Sequence, residues 1–222
     1  MLLLALLAGC ASDTPLLSVP VRTAVSASSF TGEDGTPITL DHASATVSHL
    51  RLERPVTVTA LDWLSPIATA HAHPGHDFDG GVAGELLGEW TLDLLADATE
   101  LGTAQVYAGP FATARLTLPA GTSIRLAGTA QVDGEPVAFD FSVEVDQELT
   151  GLAFEHELDA AATAPHVTLS LDPAHALSFV DWSHEDTDGD GVLTTLDAEL
   201  SNTARFGFTA TPTWQLSLEG SP

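Results

Sequence analysis

Hydrophobic and polar residues alternate with a period of two along much of this chain, the pattern of strands with one buried and one wet face. Val19, Val21, Thr23, Val25 and Ala27 share one side of an early segment. Ile38 to Leu52 reads as a second extended run, and Val56, Val58 and Ala60 begin a third. A hairpin is the sharpest expectation. Ile124, Leu126, Ala130 and Val132 alternate with Arg125, Thr129 and Gln131, then Asp133-Gly134 follows, a dipeptide favoured in two-residue turns. Val137, Phe139, Phe141, Val143 and Val145 alternate again. That register sets Ala130 opposite Val137, Leu126 opposite Phe141 and Ile124 opposite Val143, so every large apolar group lands on one face.

Later strands are predicted at Val167-Leu169-Leu171 and at Trp214-Leu216-Leu218. Leu86 to Leu95 and Leu193 to Leu200 are each read as short helices. The fold class that follows is all-β: an antiparallel β-sandwich or open barrel with one or two short helices. No internal repeat is visible. Residues 19–222 are expected to form a single β domain, a size ordinary for one sandwich or barrel.

The charge balance narrows the function. Asp and Glu number 31 against 6 basic residues, all arginine, for a formal charge of −25. Nucleic-acid binders need a basic face, and charge-driven docking on anionic lipid needs the same, so both are excluded as expectations. The acidic surface favours solubility and attracts cations.

The chain opens on MLLLALLAGC, apolar, ending in small residues, and too short to span a bilayer as a helix. Residues 1–9 read as the end of a signal peptide. Leu7-Ala8-Gly9-Cys10 resembles the lipobox of bacterial lipoproteins, which implies cleavage before Cys10 and lipid on that residue. Cys10 is the one cysteine, so an intramolecular disulfide is impossible. Residues 10–18 then form the lipidated cysteine and a tether. The membrane is a partner through that anchor alone, and the outer membrane of the cell envelope is the expected location.

Two motifs carry metal chemistry. Asp186-Thr187-Asp188-Gly189-Asp190-Gly191-Val192-Leu193-Thr194-Thr195-Leu196-Asp197 fits a calcium loop of the EF-hand type. Calcium takes six to eight oxygens. Asp186, Asp188 and Asp190 supply carboxylates, Val192 a backbone carbonyl, Thr194 a hydroxyl or bridged water, and Asp197 closes the shell where Glu is more usual. Gly191 permits the bend. The loop resembles a single dockerin-like or isolated extracellular calcium loop, for no second copy follows.

The other motif is His71-Ala72-His73-Pro74-Gly75-His76. In an extended segment His71 and His73 project to the same side, and Pro74-Gly75 turns the chain so that His76 can join them. Three imidazoles suit zinc or copper. Asp77 is a further ligand or an orienting partner. The fourth position stays open among the remaining histidines, with His166 best placed because it lies on the polar side of a strand whose Val167 and Leu169 point inward. Glu85 and Glu89 are read as exposed charges, because no HExxH or comparable catalytic spacing is present.

ITLDHASATVSHLRL early, the histidine-bearing insertion, and VTLSLDPAHALSFVDW late resemble the MbnP-like family of periplasmic copper-binding β-proteins. The resemblance spans most of residues 20–218. It implies copper held by histidines with a tryptophan nearby as an oxidation target, one of Trp63, Trp90, Trp182 and Trp214.

The function expected from these motifs is an envelope-anchored protein that captures, buffers or delivers copper or zinc and carries a structural calcium ion. A redox or metal-delivery protein is the partner this implies. The alternative is a structural or adhesive surface lipoprotein whose calcium loop stiffens a binding sandwich. Catalysis is not expected.

Overall fold

The run from Ile38 to Leu52 changes its buried parity twice, and the changes explain its sequence. Ile38 and Leu40 point inward, then Ala43, Ala45 and Val47, then Leu50 and Leu52. The strand slips against its neighbour between Leu40 and His42 and again between Ser48 and Leu50. Each slip is a bulge, an extra residue that turns the following side chains over. At the second, His49 takes a positive φ of 46° and is exposed.

The protein is described by a computed structural model covering residues 14–55, 81–183, 186, 188–196 and 198–221. Its strands are β1 (Leu16–Thr23), β2 (Ser29–Thr31), β3 (Pro37–Glu53), β4 (Val82–Asp93), β5 (Glu100–Tyr107), β6 (Gly109–Pro110), β7 (Thr113–Val132), β8 (Glu135–Ala153), β9 (Glu157–Leu158), β10 (Thr163–Leu171), β11 (Val192–Thr194) and β12 (Trp214–Ser221). The helices are α1 (Pro173–Ala176) and α2 (Ala198–Thr209). The fold is all-β, as the alternation implied. Ten strands form one sheet in the order β11-β8-β7-β3-β4-β5-β1-β10-β12, with β2 beside β3, and β6 pairs separately with β9. The sheet curls until β12 at one margin packs near β8, one strand in from the other margin. Most pairs are antiparallel, but β1–β10 and β11–β8 are parallel.

The predicted hairpin is present in its predicted register, with Ala130 opposite Val137, Leu126 opposite Phe141 and Ile124 opposite Val143. Asp133 and Gly134 both have positive φ, 52° and 88°, as a two-residue I′ turn demands. Phe139 and Phe141 lie in the core with Trp182 between them and the loop that follows, ring centroids 5.1 and 5.9 Å away. Gly128 marks a close strand approach, since a Cβ there would lie 2.0 Å from the Thr39 carbonyl oxygen.

Three expectations need correction. Leu86 to Asp93 belongs to strand β4 and Leu94 and Leu95 to the bend that follows, with no helix there. The β4 backbone pairs with β3 from Val82 to Asp93, and Leu87-Gly88 bulges opposite His49. The second helix starts later than Leu193: Val192–Thr194 is a strand, and α2 runs from Ala198 to Thr209 with Leu200, Ala204 and Phe208 buried at helical spacing. Residues 16–18, expected in the tether, already belong to β1. Within that strand Val19, Val21 and Thr23 are buried on one face, whereas Val25 beyond it is 53 % exposed.

The helices are closed by side chains. Asp172 caps α1, accepting from the amides of Ala174 and His175. At the end of α2, where backbone carbonyls lack partners, the Thr213 hydroxyl donates to Gly207 O at 2.6 Å and the Trp214 indole N–H to Phe208 O at 2.9 Å.

The sheet has two distinct ends. At one, Leu16 pairs with Tyr107, Gly84 with Val106 and Val82 with Glu53. Ala108 ties these together: its amide donates to Pro15 O (3.0 Å) and its carbonyl accepts from Arg54 Nη2 (3.2 Å). Arg54 N in turn donates to Gly81 O (2.8 Å), joining the two chain positions that flank segment 56–80. At the other end lie the Asp133-Gly134 turn, α1, and the segment around β11.

Candidate functional site: the acidic loop before helix α2

The loop hangs between two fixed points. Trp182 holds its start in the core at 6 % exposure. Leu193, 4 % exposed, holds its end, in β11 opposite Phe139. Thr195 adds a two-way bond to β8: its hydroxyl donates to Ser142 O (2.6 Å) and accepts from Ser142 N (3.3 Å). Helix α2 begins directly after.

Between those points Asp186, Asp188 and Asp190 converge, each offering a carboxylate oxygen within 4.8 Å of the others. The backbone curls around Asp186, whose two oxygens accept from the amides of Gly189 (3.0 Å) and Gly191 (2.6 Å). Asp188 accepts from Asp190 N (3.3 Å) and Asp190 from Val192 N (2.8 Å). Gly191 has a φ of 85°, the bend for which the sequence reserved a glycine.

The electrostatics follow from crowding. The Gly191 amide bond, ahead of the smaller contribution from Gly189, holds the Asp186 carboxyl below the ordinary carboxylate value. Asp188 moves the other way. The Asp190 amide pulls it down, but the bond to the Asp186 side chain, lost hydration, and repulsion from Asp190 and Asp186 together outweigh that. A cation among these oxygens would remove the repulsion. All-oxygen donors of this kind are those a hard cation takes, not a soft one.

The other predicted calcium ligands divide. Val192 and Thr194 lie in β11, opposite Ala138 and Asp140, and the Thr194 hydroxyl accepts from Leu196 N at 3.4 Å. Asp197 lies outside the described residues, as do His71, His73, His76, Asp77 and Cys10. His166 is on the polar side of β10 as expected. Its Nε2 lies 3.4 Å from Glu219 Oε2, and its side chain is 21 % exposed. Other described imidazoles have partners of their own: His42 with Ser44 Oγ (2.9 Å), His175 with Glu33 (3.1 Å), and His156 with Leu218 N (3.4 Å). Glu85, read as an exposed charge, pairs with Arg51 at 2.9 Å. Of the tryptophans implied by the family resemblance, Trp182 and Trp214 are core residues, Trp90 is half-buried, and Trp63 is outside the described residues.

Sequence reading missed the bonds that seat the loop. Thr195 on Ser142 and β11 on β8 join residues more than fifty positions apart, and no local pattern encodes them. Arg125 with Asp140, beside β11, had a signal: both lie on the polar parity of the predicted hairpin. No family model, curated protein or solved structure matches this chain.

Proposed function

We propose that this chain is a metal-binding domain of the bacterial envelope, with calcium as its structural ion and copper or zinc as its captured ion. The observation that carries the proposal is the convergence of Asp186, Asp188 and Asp190 within 4.8 Å in a loop seated on β8 and leading into α2. Asp-x-Asp-x-Asp-Gly spacing supports calcium as the occupant. Calcium in this position draws β11 and α2 against β8, a stiffening role.

Capture of the second metal rests on the imidazoles of His71, His73 and His76 in the HAHPGH run. The resemblance to MbnP-like proteins supports copper over zinc. The LAGC motif supports a lipid anchor at Cys10 and hence an envelope location.

Titration of metal-free protein tests both halves. Calcium binding should vanish in Asp188→Asn and survive His71→Ala/His73→Ala/His76→Ala. Copper or zinc binding should show the reverse. Transition-metal affinity untouched by the triple substitution removes the capture reading, and calcium affinity untouched by Asp188→Asn removes the structural one.

A further inference from the structure

Two large aromatic side chains stand exposed side by side at the helical end of the molecule. Phe206 on α2 is 61 % exposed and Phe179, just past α1, 39 %. They meet edge to face with centroids 4.7 Å apart. Phe179 also meets the edge of His175 at 5.8 Å, and His175 reaches Glu33 of the turn between β2 and β3 at 3.1 Å. The exposed pair Phe206–Phe179 is thus continued, through the partly buried His175, to the exposed Glu33, a strip drawn from three separate parts of the chain. Single apolar residues scattered on a surface are ordinary, whereas these two exposed rings are in direct contact with one another.

Charge and position restrict what the strip can receive. Asp181 and Glu199 are exposed along the two segments that carry the phenylalanines. Glu33, 61 % exposed, closes the far end. Arg205 is the one arginine of α2. A second copy of this chain would bring −25 against −25. An anionic lipid surface meets the same repulsion. A segment with apolar and basic side chains meets neither obstacle. Its aliphatic groups would bury the Phe206 face, and its cations would sit over the aromatic rings and against Glu33.

We propose that the Phe206–Phe179–His175–Glu33 strip is a docking face for an amphipathic, basic protein segment. Such an interface is local, and a short helix or strand would cover it.

The test uses the full chain, isotope-labelled, titrated with a synthetic amphipathic peptide of leucine and lysine. A leucine–glutamate peptide of equal length is the control. Shifts confined to the strip are expected with the lysine peptide and none with the glutamate peptide. Phe206→Ser and Glu33→Gln should each weaken binding roughly tenfold, the scale of a single aromatic or charge-assisted interaction. Phe206 and Glu33 are exposed, so both variants should keep the wild-type spectrum elsewhere. Three results would overturn the proposal. One is lysine-peptide shifts spread over the whole acidic surface. Another is binding unchanged by Phe206→Ser. The third is strip shifts that appear with rising protein concentration alone, or with phosphatidylglycerol vesicles.

Discussion

Arg125 and Asp140 meet diagonally across the β7–β8 hairpin, where Arg125 is opposite Ser142 and Asp140 opposite Ala127, in a two-pronged ion pair, Nε to Oδ1 at 2.8 Å and Nη2 to Oδ2 at 2.6 Å. Asp140 is also the β8 residue opposite Thr194 in the rung that seats β11. The Arg125 hydrogen bond, then its charge, with a smaller push from His42, holds the Asp140 carboxyl below its ordinary value of 3.8 against the opposing effect of partial burial. A carboxylate lowered in the folded state contributes stability that is complete above the unfolded value and fades as pH falls through the folded one. Asp140→Asn should therefore cost about 0.5–1 kcal/mol at neutral pH, a figure already reduced for exposure to water. The difference from wild type should close as pH drops below about 4. Urea melts across the acid range check this, and a difference that persists through the acid limb contradicts it.

Gly128 should be irreplaceable for a reason of space. The Thr39 carbonyl oxygen stands 2.0 Å from where an alanine Cβ would be, and backbone cannot yield as a side chain can. Gly128→Ala should cost at least about 3 kcal/mol by forcing β3 and β7 apart. Gly121→Ala is the control, because nothing lies within 4 Å there and only its φ of 73° resists substitution. That change should cost about 1 kcal/mol. Thermal melts of the two variants should rank them in this order.

Phe141 is fully buried against Phe139 and Trp182. Phe141→Ala should cost about 3–5 kcal/mol through reduced burial and the cavity left behind. It should also loosen the start of the acidic loop, since Trp182 would lose one of its two aromatic neighbours. The indole emission should shift to the red, and an unshifted spectrum would show that Trp182 does not depend on Phe141.

Calcium removal should act on stability before it acts on structure. At a hundredfold excess over its Kd, a ligand specific to the folded state contributes about 2.7 kcal/mol. In a domain of this size that raises Tm by about 5–10 °C. Chelation should reverse the rise, and Asp188→Asn should abolish it. Magnesium at equal concentration should give less, because three crowded carboxylates suit the larger ion.

The sequence and the fold agree most closely where local chemistry decides the geometry. Asp133-Gly134 accepts positive φ at both turn positions, and that one fact sets the register of the whole β7–β8 hairpin. The Asp-x-Asp-x-Asp-Gly run likewise curls on itself through bonds within a few residues, so its convergence is legible in the sequence. Leu86, Leu87, Trp90 and Leu94 mislead because their spacing also fits one helical face. Pairing with β3 along the whole segment overrides that preference, and the Leu87-Gly88 bulge accounts for the irregular spacing. Helix α2 has its signal in Leu200, Ala204 and Phe208, with Gly207 small enough to lie against the Ala176 carbonyl. The parallel pairing of β11 with β8 has none, because it depends on where a distant strand happens to pass.

Strand β1 is gripped along both long sides, by β5 from Leu16 to Arg22 and by β10 from Val21 to Thr23. A pull on the chain ahead of Pro15 therefore runs parallel to the strand. Its rungs are loaded side by side and must give way together, unlike a strand peeled from its free end one rung at a time. Resistance of this kind is a matter of unfolding rate under load. A first strand paired on both sides would have to break two ladders at once under such a load.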